Sequence, residues 1–160
     1  MRNVGKRNIL GILIDAVDYE GAEEAVIGAA VEKKNMSVSA LAVHGLMIGA
    51  FDREQKFRLN QFSLLLPDGQ PVRWALNWLH RVSLGDRVYG PNLTLRICAR
   101  AAGLGLPVYF YGSTPEVLVS LRQSLESRFP GLVVAGMEAS RFRQLSPTEK
   151  EHLAERIRSS

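Results

Sequence analysis

The stretch Pro107-Val-Tyr-Phe-Tyr-Gly-Ser-Thr-Pro-Glu116 decides the fold of this chain. An apolar run of strand length ends at Tyr111, and a glycine turn then opens an amphipathic segment that reaches Arg128. Pro130-Gly131 breaks that segment, and Leu132-Val-Val-Ala135 has the pattern of a second buried strand. Strand, helix and strand in this order predict a βαβ unit with parallel strands and a right-handed crossover.

The same alternation of strand and helix patterns runs through the rest of the chain. Upstream strands are predicted within residues 9–14, broken at Gly11, and at residues 37–43 and 62–66. Predicted helices cover residues 19–34, 46–59, 71–80 and 91–102, and the capping-box sequence Ser146-Pro-Thr-Glu149 opens a last one. We therefore predict an α/β fold with an open, doubly wound (Rossmann-like), mostly parallel sheet and helices on both faces.

Length and composition indicate one domain. The chain has 160 residues, of which 46% are hydrophobic and 22% charged, so we interpret residues 1–160 as a single α/β domain with a substantial core. The apolar helix around Trp74 and Trp78 is assigned to that core, with a homo-oligomer interface as the alternative. The chain ends directly after a helix, where the alternation leads us to expect a further strand. We therefore expect the domain to lack its C-terminal part.

Net charge and targeting signals indicate which binding partners and which cellular location to expect. The net charge of +4 favours phosphates or an anionic membrane surface as partners. The Lys and Arg residues are scattered, without interleaved aromatic residues, which argues against nucleic acid. We find no signal peptide and no apolar run long enough to span a bilayer. We expect a cytoplasmic protein that can rest on a membrane.

No sequence motif indicates a metal or a cofactor. His44, His80 and His152 lack metal-ligand spacing. The single cysteine, Cys98, lies in an apolar series that predicts a buried thiol. The sequence contains no phosphate-binding loop, and the first strand–helix turn has no dinucleotide fingerprint, which disfavours a Rossmann-type oxidoreductase.

Residues able to carry chemistry follow the predicted strands. His44-Gly45 follows one strand, Pro67-Asp68-Gly69 the next, and Gly112-Ser113-Thr114 a third. If these strands are parallel neighbours, all three turns lie at the sheet edge where open α/β folds bind ligands. A further polar turn, Asp86-Arg87, adds a cation. The pattern predicts a substrate cleft that holds Asp68 and Arg87.

Each of these turns also has a purely structural interpretation. Pro-Asp-Gly is ordinary turn chemistry, in which Pro fixes φ and Gly supplies positive φ. Thr114 suits a helix N-cap, and His44 suits a turn residue that bonds to backbone. Arg73, on the helix after Asp68, is interpreted as a solvated residue.

Four motifs, taken in order, resemble the bacterial glycosyltransferases of the WecG/TagA/CpsF family. They are Asn8-Ile-Leu-Gly-Ile-Leu-Ile-Asp15, Leu66-Pro-Asp-Gly69, Asp86-Arg-Val-Tyr-Gly-Pro-Asn-Leu93, and Val108-Tyr-Phe-Tyr-Gly112 with the later Phe129-Pro-Gly-Leu132 and Gly136. The ordered set covers nearly the whole chain, and it is more specific than any one of its motifs.

The resemblance implies an inverting transfer that generally needs no metal. The donor would be UDP-linked N-acetylmannosamine, N-acetylmannosaminuronic acid or a related sugar. The acceptor would be a saccharide carried on a lipid (polyprenyl) diphosphate at the inner face of the membrane. The reaction would serve the assembly of cell-surface polysaccharide or teichoic acid.

The resemblance also implies roles for single residues. By position, Asp68 corresponds to the family's proposed catalytic base and Arg87 to its active-site arginine. An inverting transfer needs a carboxylate to take the acceptor hydroxyl proton, and cations or amides to stabilise the departing diphosphate. His44 would border the sugar, and Gly69 and the turn Gly112-Ser113-Thr114 would contact the substrate.

The sequence departs from the family pattern in two places. Ala42-Val43-His44 stands where the family usually has Thr-x-Asn, and it looks like the branch associated with exopolysaccharide synthesis. Family members also continue with a Gly-x-Pro-Lys-Gln-Glu segment and an arginine-bearing tail, and neither follows Ser160. The alternative function is therefore a non-catalytic, truncated or degenerate sugar-nucleotide-binding module.

Overall fold

The computed structural model describes residues 3–160, in which strands and helices alternate. The strands are β1 (Asn3–Ile9), β2 (Ile12–Val17), β3 (Val38–Leu41), β4 (Leu64–Pro67), β5 (Val108–Tyr111) and β6 (Val134–Glu138). The helices are α1 (Tyr19–Val31), α2 (Val43–Phe51), α3 (Arg53–Asn60), α4 (Gln70–His80), α5 (Gly90–Leu104), α6 (Pro115–Arg128) and α7 (Pro147–Ser159). The chain divides within α5 into two compact units, Met1–Ile97 and Cys98–Ser160.

Backbone hydrogen bonds join the strands in pairs. β1 and β2 form an antiparallel hairpin, β3 runs parallel to β4, and β5 runs parallel to β6. The predicted α/β class and the parallel strands on either side of α6 are confirmed. The predicted single, doubly wound sheet is not formed by residues 3–160, whose strands make three two-stranded sheets, one of them antiparallel.

The antiparallel hairpin follows from the sequence at its tip. Leu10 and Gly11 both have positive φ, 54° and 86°, which is typical of a two-residue turn whose twist matches the strands it joins. The Asn8 side chain supports the turn, because its Oδ1 accepts a hydrogen bond from the Gly11 N–H at 2.8 Å. Gly11, which the sequence pattern marks as a break, is therefore the turn of a longer hairpin.

β4 is buried on both faces and organises the first unit. Leu65 packs in one apolar cluster with side chains of α2 and α4. Leu64 and Leu66 pack in a second cluster with side chains of α1 and α5. Because successive residues of a strand point to opposite faces, helices cover both faces of β4.

A buried side chain joins β2 to β4 where a backbone ladder would otherwise be expected. Asp15 of β2 is only 4% exposed, and its Oδ2 accepts a hydrogen bond from the Leu65 N–H at 2.8 Å. The same oxygen binds Lys6 Nζ at 2.8 Å, and Lys6 also donates to the Phe62 carbonyl at 3.2 Å. The carboxylate occupies a β4 donor, which accounts for the missing ladder at this position.

The single helix predicted over residues 46–59 is in fact two helices. Asp52 between them has extended backbone, and its Oδ1 accepts hydrogen bonds from the Glu54 and Gln55 N–H groups at 2.8 and 3.0 Å. Asp52 is thus an N-cap that separates α2 from α3. α2 also begins earlier than predicted, at Val43, so that His44 lies in its first turn.

The second unit contains the parallel pair predicted from the opening motif. Tyr109 of β5 lies opposite Gly136 of β6, and a Cβ at that glycine would come within 2.4 Å of the Tyr109 ring. The capping box predicted for α7 is present, with Ser146 N–H bonded to Glu149 Oε2 at 2.8 Å and the Glu149 N–H bonded to Ser146 Oγ at 3.3 Å. A hydrogen bond from Arg143 holds the pKa of Glu149 far below its usual value.

The two tryptophans contradict the prediction that their helix lies wholly in the core. Trp74 and Trp78 of α4 are 58% and 84% exposed, whereas Val72 and Leu76 are buried. Cys98 is buried as predicted, and burial raises the pKa of its thiol. None of the helices formed by residues 3–160 is both long enough and apolar enough to cross a lipid bilayer.

Replacing Asp15 with Ala should strongly destabilise the chain. The buried Leu65 N–H would lose its partner and the Lys6 ammonium would keep only the Phe62 carbonyl, and breaking a buried pair in this way lowers the free energy of unfolding by about 3 kcal/mol. Urea unfolding followed by circular dichroism measures the change. Glu54→Ala is the control, because it removes only the exposed Glu54–Arg58 pair and should lower the free energy by less than about 1 kcal/mol. Equal effects of the two substitutions would contradict the structural role of Asp15.

Candidate active site

Asp68 leaves the carboxyl end of β4, directly after Pro67. Pro67 pairs with Leu41 of β3, and the Asp68 N–H donates to the Leu41 carbonyl at 3.2 Å. The Asp68 side chain is half-buried, and within residues 3–160 its carboxylate has neither a hydrogen-bond nor an ion-pair partner. A carboxylate held at a strand end with free oxygens is available to a substrate.

Two glycines allow helix N-termini to approach Asp68. A Cβ on Gly69 would lie 3.2 Å from the Val43 nitrogen, at the start of α2. A Cβ on Gly90, the first residue of α5, would lie 3.9 Å from Asp68 Oδ2. His44 follows Val43 and is exposed. The starts of α2 and α5 therefore both lie beside the turn that carries Asp68.

A polar face of α4 holds the loop that follows this helix. Arg73 Nη1 donates to the Leu84 and Gly85 carbonyls at 2.8 and 3.1 Å. Asn77, one turn later, exchanges two hydrogen bonds of 2.9 Å with the Leu84 backbone. These side chains satisfy backbone groups that have no helix or strand to pair with. The interpretation of Arg73 as a solvated residue is therefore wrong, because its guanidinium fixes the loop.

The same face of α4 reaches the Asp86-Arg87 turn. Gln70 Nε2 donates to Asp86 Oδ1 at 3.0 Å, and that oxygen also accepts the Arg87 N–H at 2.7 Å. The Arg87 guanidinium carbon lies 4.7 Å from the centre of the Tyr89 ring, within range of a cation–π interaction. In the described part of the chain, no carboxylate pairs with Arg87.

One backbone hydrogen bond brings the backbone of Arg87 close to that of Asp68. The Val88 N–H donates to the Pro67 carbonyl at 3.0 Å. Arg87 precedes Val88 and Asp68 follows Pro67, so each charged residue is one position from the bonded pair. The arrangement offers a free carboxylate, which can take a proton from a hydroxyl, and a guanidinium without a carboxylate partner, which can bind a phosphate.

The turn Gly112-Ser113-Thr114 belongs to the second unit. Gly112 and Ser113 have positive φ, 137° and 55°, and the Gly112 N–H donates to the Glu138 carbonyl at 3.0 Å. Thr114 Oγ1 accepts the Val117 N–H at 3.4 Å. Thr114 is therefore the N-cap of α6, one of the two interpretations that the sequence left open.

A pocket of about 330 Å³ lies in the same unit. Its walls come from the start of α6 and the end of β6, and they are mostly apolar. The lining residues are Pro115, Leu118, Val119, Met137, Glu138 and Ala139.

The chain matches the model of the glycosyl transferase WecG/TagA/CpsF family over residues 7–160. The chain belongs to this family. The match confirms the resemblance carried by the four motifs and makes the chain a glycosyltransferase. No curated protein matches it.

Residues 3–160 of this WecG/TagA/CpsF glycosyltransferase contain no group of three or more His, Cys, Asp or Glu side chains placed to hold a metal ion. One histidine bonds to a backbone carbonyl, and the other two are exposed. His80 Nε2 lies 2.8 Å from the Asn8 carbonyl oxygen, and His44 and His152 are exposed.

The side chains that hold the loop of this glycosyltransferase were not predicted from the sequence. Gln70, Arg73 and Asn77 recur every three or four residues on a largely apolar helix, and that spacing could have indicated a polar face with a partner. Tyr19 was also missed. Its hydroxyl accepts the Tyr89 N–H at 3.0 Å and ties the far end of the loop to α1. That bond joins residues 70 positions apart, so the sequence carries no local signal for it.

Arg73→Ala should loosen the loop that carries Arg87. The Gly85 carbonyl would lose its donor and the Leu84 carbonyl would keep only Asn77, at a cost of about 1–3 kcal/mol to the closed loop. Hydrogen–deuterium exchange measured by mass spectrometry should show about 5- to 150-fold faster exchange in the peptide that contains Val88. Arg53→Ala, on the exposed surface of α3, is the control and should leave that peptide unchanged. Unchanged protection after Arg73→Ala would contradict the loop-holding role.

Proposed function

We propose that the chain is an inverting glycosyltransferase that moves a sugar from a UDP donor to a saccharide on a lipid diphosphate. The observation that carries the proposal is the free Asp68 carboxylate at the end of β4, one residue from the Pro67–Val88 hydrogen bond that brings in Arg87. Family membership supplies the reaction class, and this arrangement supplies the two groups that the reaction needs.

The proposed reaction is a single displacement in which Asp68 is the general base. Asp68 takes the proton of an acceptor hydroxyl as that oxygen forms a bond to the anomeric carbon of the donor sugar. The bond from that carbon to the UDP oxygen breaks on the opposite face, so the configuration inverts. The electron pair leaves with UDP, whose growing negative charge Arg87 stabilises. Asp68 ends the step protonated and releases the proton to water.

The remaining candidate residues are proposed to contact the substrates. His44 stands at the start of α2, and Gly69 is the residue that allows α2 to approach Asp68. We propose that His44 borders the donor sugar. The turn Gly112-Ser113-Thr114 is proposed to add backbone N–H groups for phosphate, since the start of a helix favours anions.

The domain organisation, the donor sugar and the acceptor are also proposals. We propose that residues 1–160 act together as one glycosyltransferase domain, which the match of the family model over residues 7–160 supports. The donor sugar is proposed to be of the N-acetylmannosamine or N-acetylmannosaminuronic acid type. The acceptor would lie at the cytoplasmic face of the membrane, in the assembly of exopolysaccharide or teichoic acid, and no metal would be required.

Asp68→Asn should strongly slow the transfer while the fold stays intact. Loss of a general base lowers the rate by about 10²–10⁴-fold, and the assay follows UDP release from a panel of UDP-sugars in the presence of a polyprenyl-diphosphate saccharide. Asp52→Asn is the matched control, because Asn caps a helix about as well as Asp.

Two outcomes of this assay would contradict the proposal. Turnover by Asp68→Asn at the rate of the unaltered chain would remove Asp68 from the role of base. UDP binding by the unaltered chain, without transfer to any lipid acceptor in the panel, would favour a non-catalytic sugar-nucleotide-binding module.

Arg87→Ala should weaken stabilisation of the departing diphosphate. We expect a fall in kcat of about 10²–10³-fold, the size seen when one charge-stabilising donor is removed. Arg87→Lys keeps the charge but loses the planar fork and should recover only part of the rate. Steady-state kinetics of UDP release measure both variants, and an unchanged kcat for Arg87→Ala would contradict the role.

A further inference from the structure

The ring of Tyr89 restrains the Arg87 guanidinium. The guanidinium carbon lies 4.7 Å from the centre of that ring, a distance at which a cation is attracted to an aromatic face. Val88 between them is buried in the second apolar cluster, whereas Arg87 is half-buried and Tyr89 is 38% exposed. Within residues 3–160, the Arg87 side chain has no carboxylate partner. The ring therefore limits where this long side chain can point.

An aromatic ring restrains a guanidinium without using its hydrogen-bond donors. The attraction acts through the face of the cation, whereas the five N–H groups of arginine lie in the plane of its fork. A carboxylate partner would occupy some of those donors and neutralise the charge. A guanidinium held by a ring thus keeps both its charge and its donors for a phosphate.

Backbone hydrogen bonds fix Tyr89 on both sides. Its N–H donates to the Tyr19 hydroxyl of α1 at 3.0 Å, and its carbonyl accepts the Leu93 N–H of α5 at 3.0 Å. The preceding Val88 N–H donates to the Pro67 carbonyl at 3.0 Å. The base of the Tyr89 side chain is therefore attached to α1, to α5 and to the end of β4.

Tyr19 is itself held by a second arginine. The Arg96 guanidinium carbon lies 5.5 Å from the centre of the Tyr19 ring, and Arg96 Nε donates to Glu23 Oε2 at 2.7 Å. Glu23 is only 8% exposed, and it lies four residues after Tyr19, on the same side of α1. These contacts join α1 to α5, so the Tyr19 hydroxyl is held where it accepts the Tyr89 N–H.

We propose that Tyr89 is a positioning residue whose ring holds the Arg87 guanidinium toward the departing diphosphate of the donor, and that Tyr19 fixes Tyr89 for this task. All of these residues belong to the first unit. The inference rests on the role proposed for Arg87 in stabilising the leaving group. A charged group that already points the right way does not have to reorganise as negative charge develops, so the restraint raises kcat.

The restraint itself can be measured without any substrate. In nitrogen-15 NMR, the Arg87 Nε–H signal, identified by its absence from Arg87→Ala, should have an order parameter above about 0.6, the value below which a group is flexible. Tyr89→Leu should lower the order parameter below about 0.6, whereas Tyr89→Phe keeps the ring and should leave it unchanged. An order parameter that Tyr89→Leu does not lower would contradict the restraint.

The expected effect on the rate follows from the strength of the contact. A cation–π contact at the protein surface corresponds to about a two- to fivefold change in an equilibrium. Tyr89→Leu should therefore lower kcat for UDP release by about two- to fivefold, with KM for both substrates unchanged, because the oriented charge acts in the transition state. Tyr89→Phe should retain the rate. Phe57→Leu is the matched control, since it removes an exposed aromatic ring from α3 of the same unit and should leave kcat unchanged.

A double-mutant cycle separates a ring that acts through Arg87 from a ring that contacts substrate. In the Arg87→Ala background, Tyr89→Leu should cause no further loss of rate, because the guanidinium that the ring positions is gone. A ring in direct contact with substrate would lower kcat by the same factor in both backgrounds. That result would overturn the proposal.

Tyr19→Phe tests the second link. It removes the acceptor of the Tyr89 N–H but keeps the ring that lies near Arg96. We expect about two- to tenfold faster hydrogen–deuterium exchange in a peptide that contains Tyr89, the size of one lost hydrogen bond. A fall in kcat should accompany it and should disappear in the Arg87→Ala background. Exchange and kcat equal to those of the unaltered chain would remove Tyr19 from the positioning role.

Failure of this inference is distinguishable from failure of the proposed function. A loss of rate in Arg87→Ala, with no effect of Tyr89→Leu on the rate or on the order parameter, would overturn the positioning role alone. An unchanged kcat in Arg87→Ala would overturn the role proposed for Arg87 and the inference with it.

Discussion

The first unit depends on a buried carboxylate. Asp15 accepts the Leu65 N–H and pairs with Lys6, and through these contacts the β1–β2 hairpin is attached to β4. β3 pairs with the other edge of β4, so β4 has a neighbour on both sides as well as helices over both faces. An ion pair of this kind is weak evidence for extra stability, but removal of Lys6 would leave the buried Asp15 carboxylate without a cation, and removal of Asp15 would leave the buried Leu65 N–H without an acceptor. We infer that Asp15 specifies the position of the hairpin more than it adds to stability.

A strand enclosed in this way can present functional groups only where it ends. Leu64, Leu65 and Leu66 are all buried, and the next polar side chain along the chain is Asp68. Backbone groups around Asp68 bond to neighbouring groups of the chain. Side chains of α4 donate to carbonyls of the loop that follows this helix, and the Val88 N–H donates to the Pro67 carbonyl. The Asp68 carboxylate is left free even though α4 begins two residues later without a side-chain cap. A preorganised charge of this kind is what a transfer reaction uses.

Local signals in the sequence predicted much of this architecture. The motif before Gly112 indicated the β5–β6 pair, the Ser146–Glu149 pattern indicated the start of α7, and the apolar run before Pro67 placed Asp68 at a strand end. The Asp52 cap also had a local signal, an Asp followed three residues later by Gln, but the apolar pattern around it suggested one continuous helix.

The features that were missed depend on contacts distant in sequence. Asp15 and Leu65 are 50 positions apart, and nothing in an apolar strand indicates which backbone group its one carboxylate will bind. The tryptophans were assigned to the core because an apolar residue on a helix does not reveal whether anything lies opposite it. The predicted single sheet failed for a related reason: strand patterns do not specify which strands pair, and a side chain stands between β2 and β4.

The central proposal is that Asp68 faces the attacking hydroxyl of the acceptor and Arg87 faces the departing diphosphate of the donor. A crystal structure of the Asp68→Asn variant with a UDP-sugar and a lipid-diphosphate saccharide analogue would test it most directly. The account predicts the acceptor hydroxyl within about 3 Å of the residue 68 side chain and the donor diphosphate within hydrogen-bond distance of the Arg87 guanidinium. Ordered substrates whose reacting atoms lie away from both side chains would contradict it.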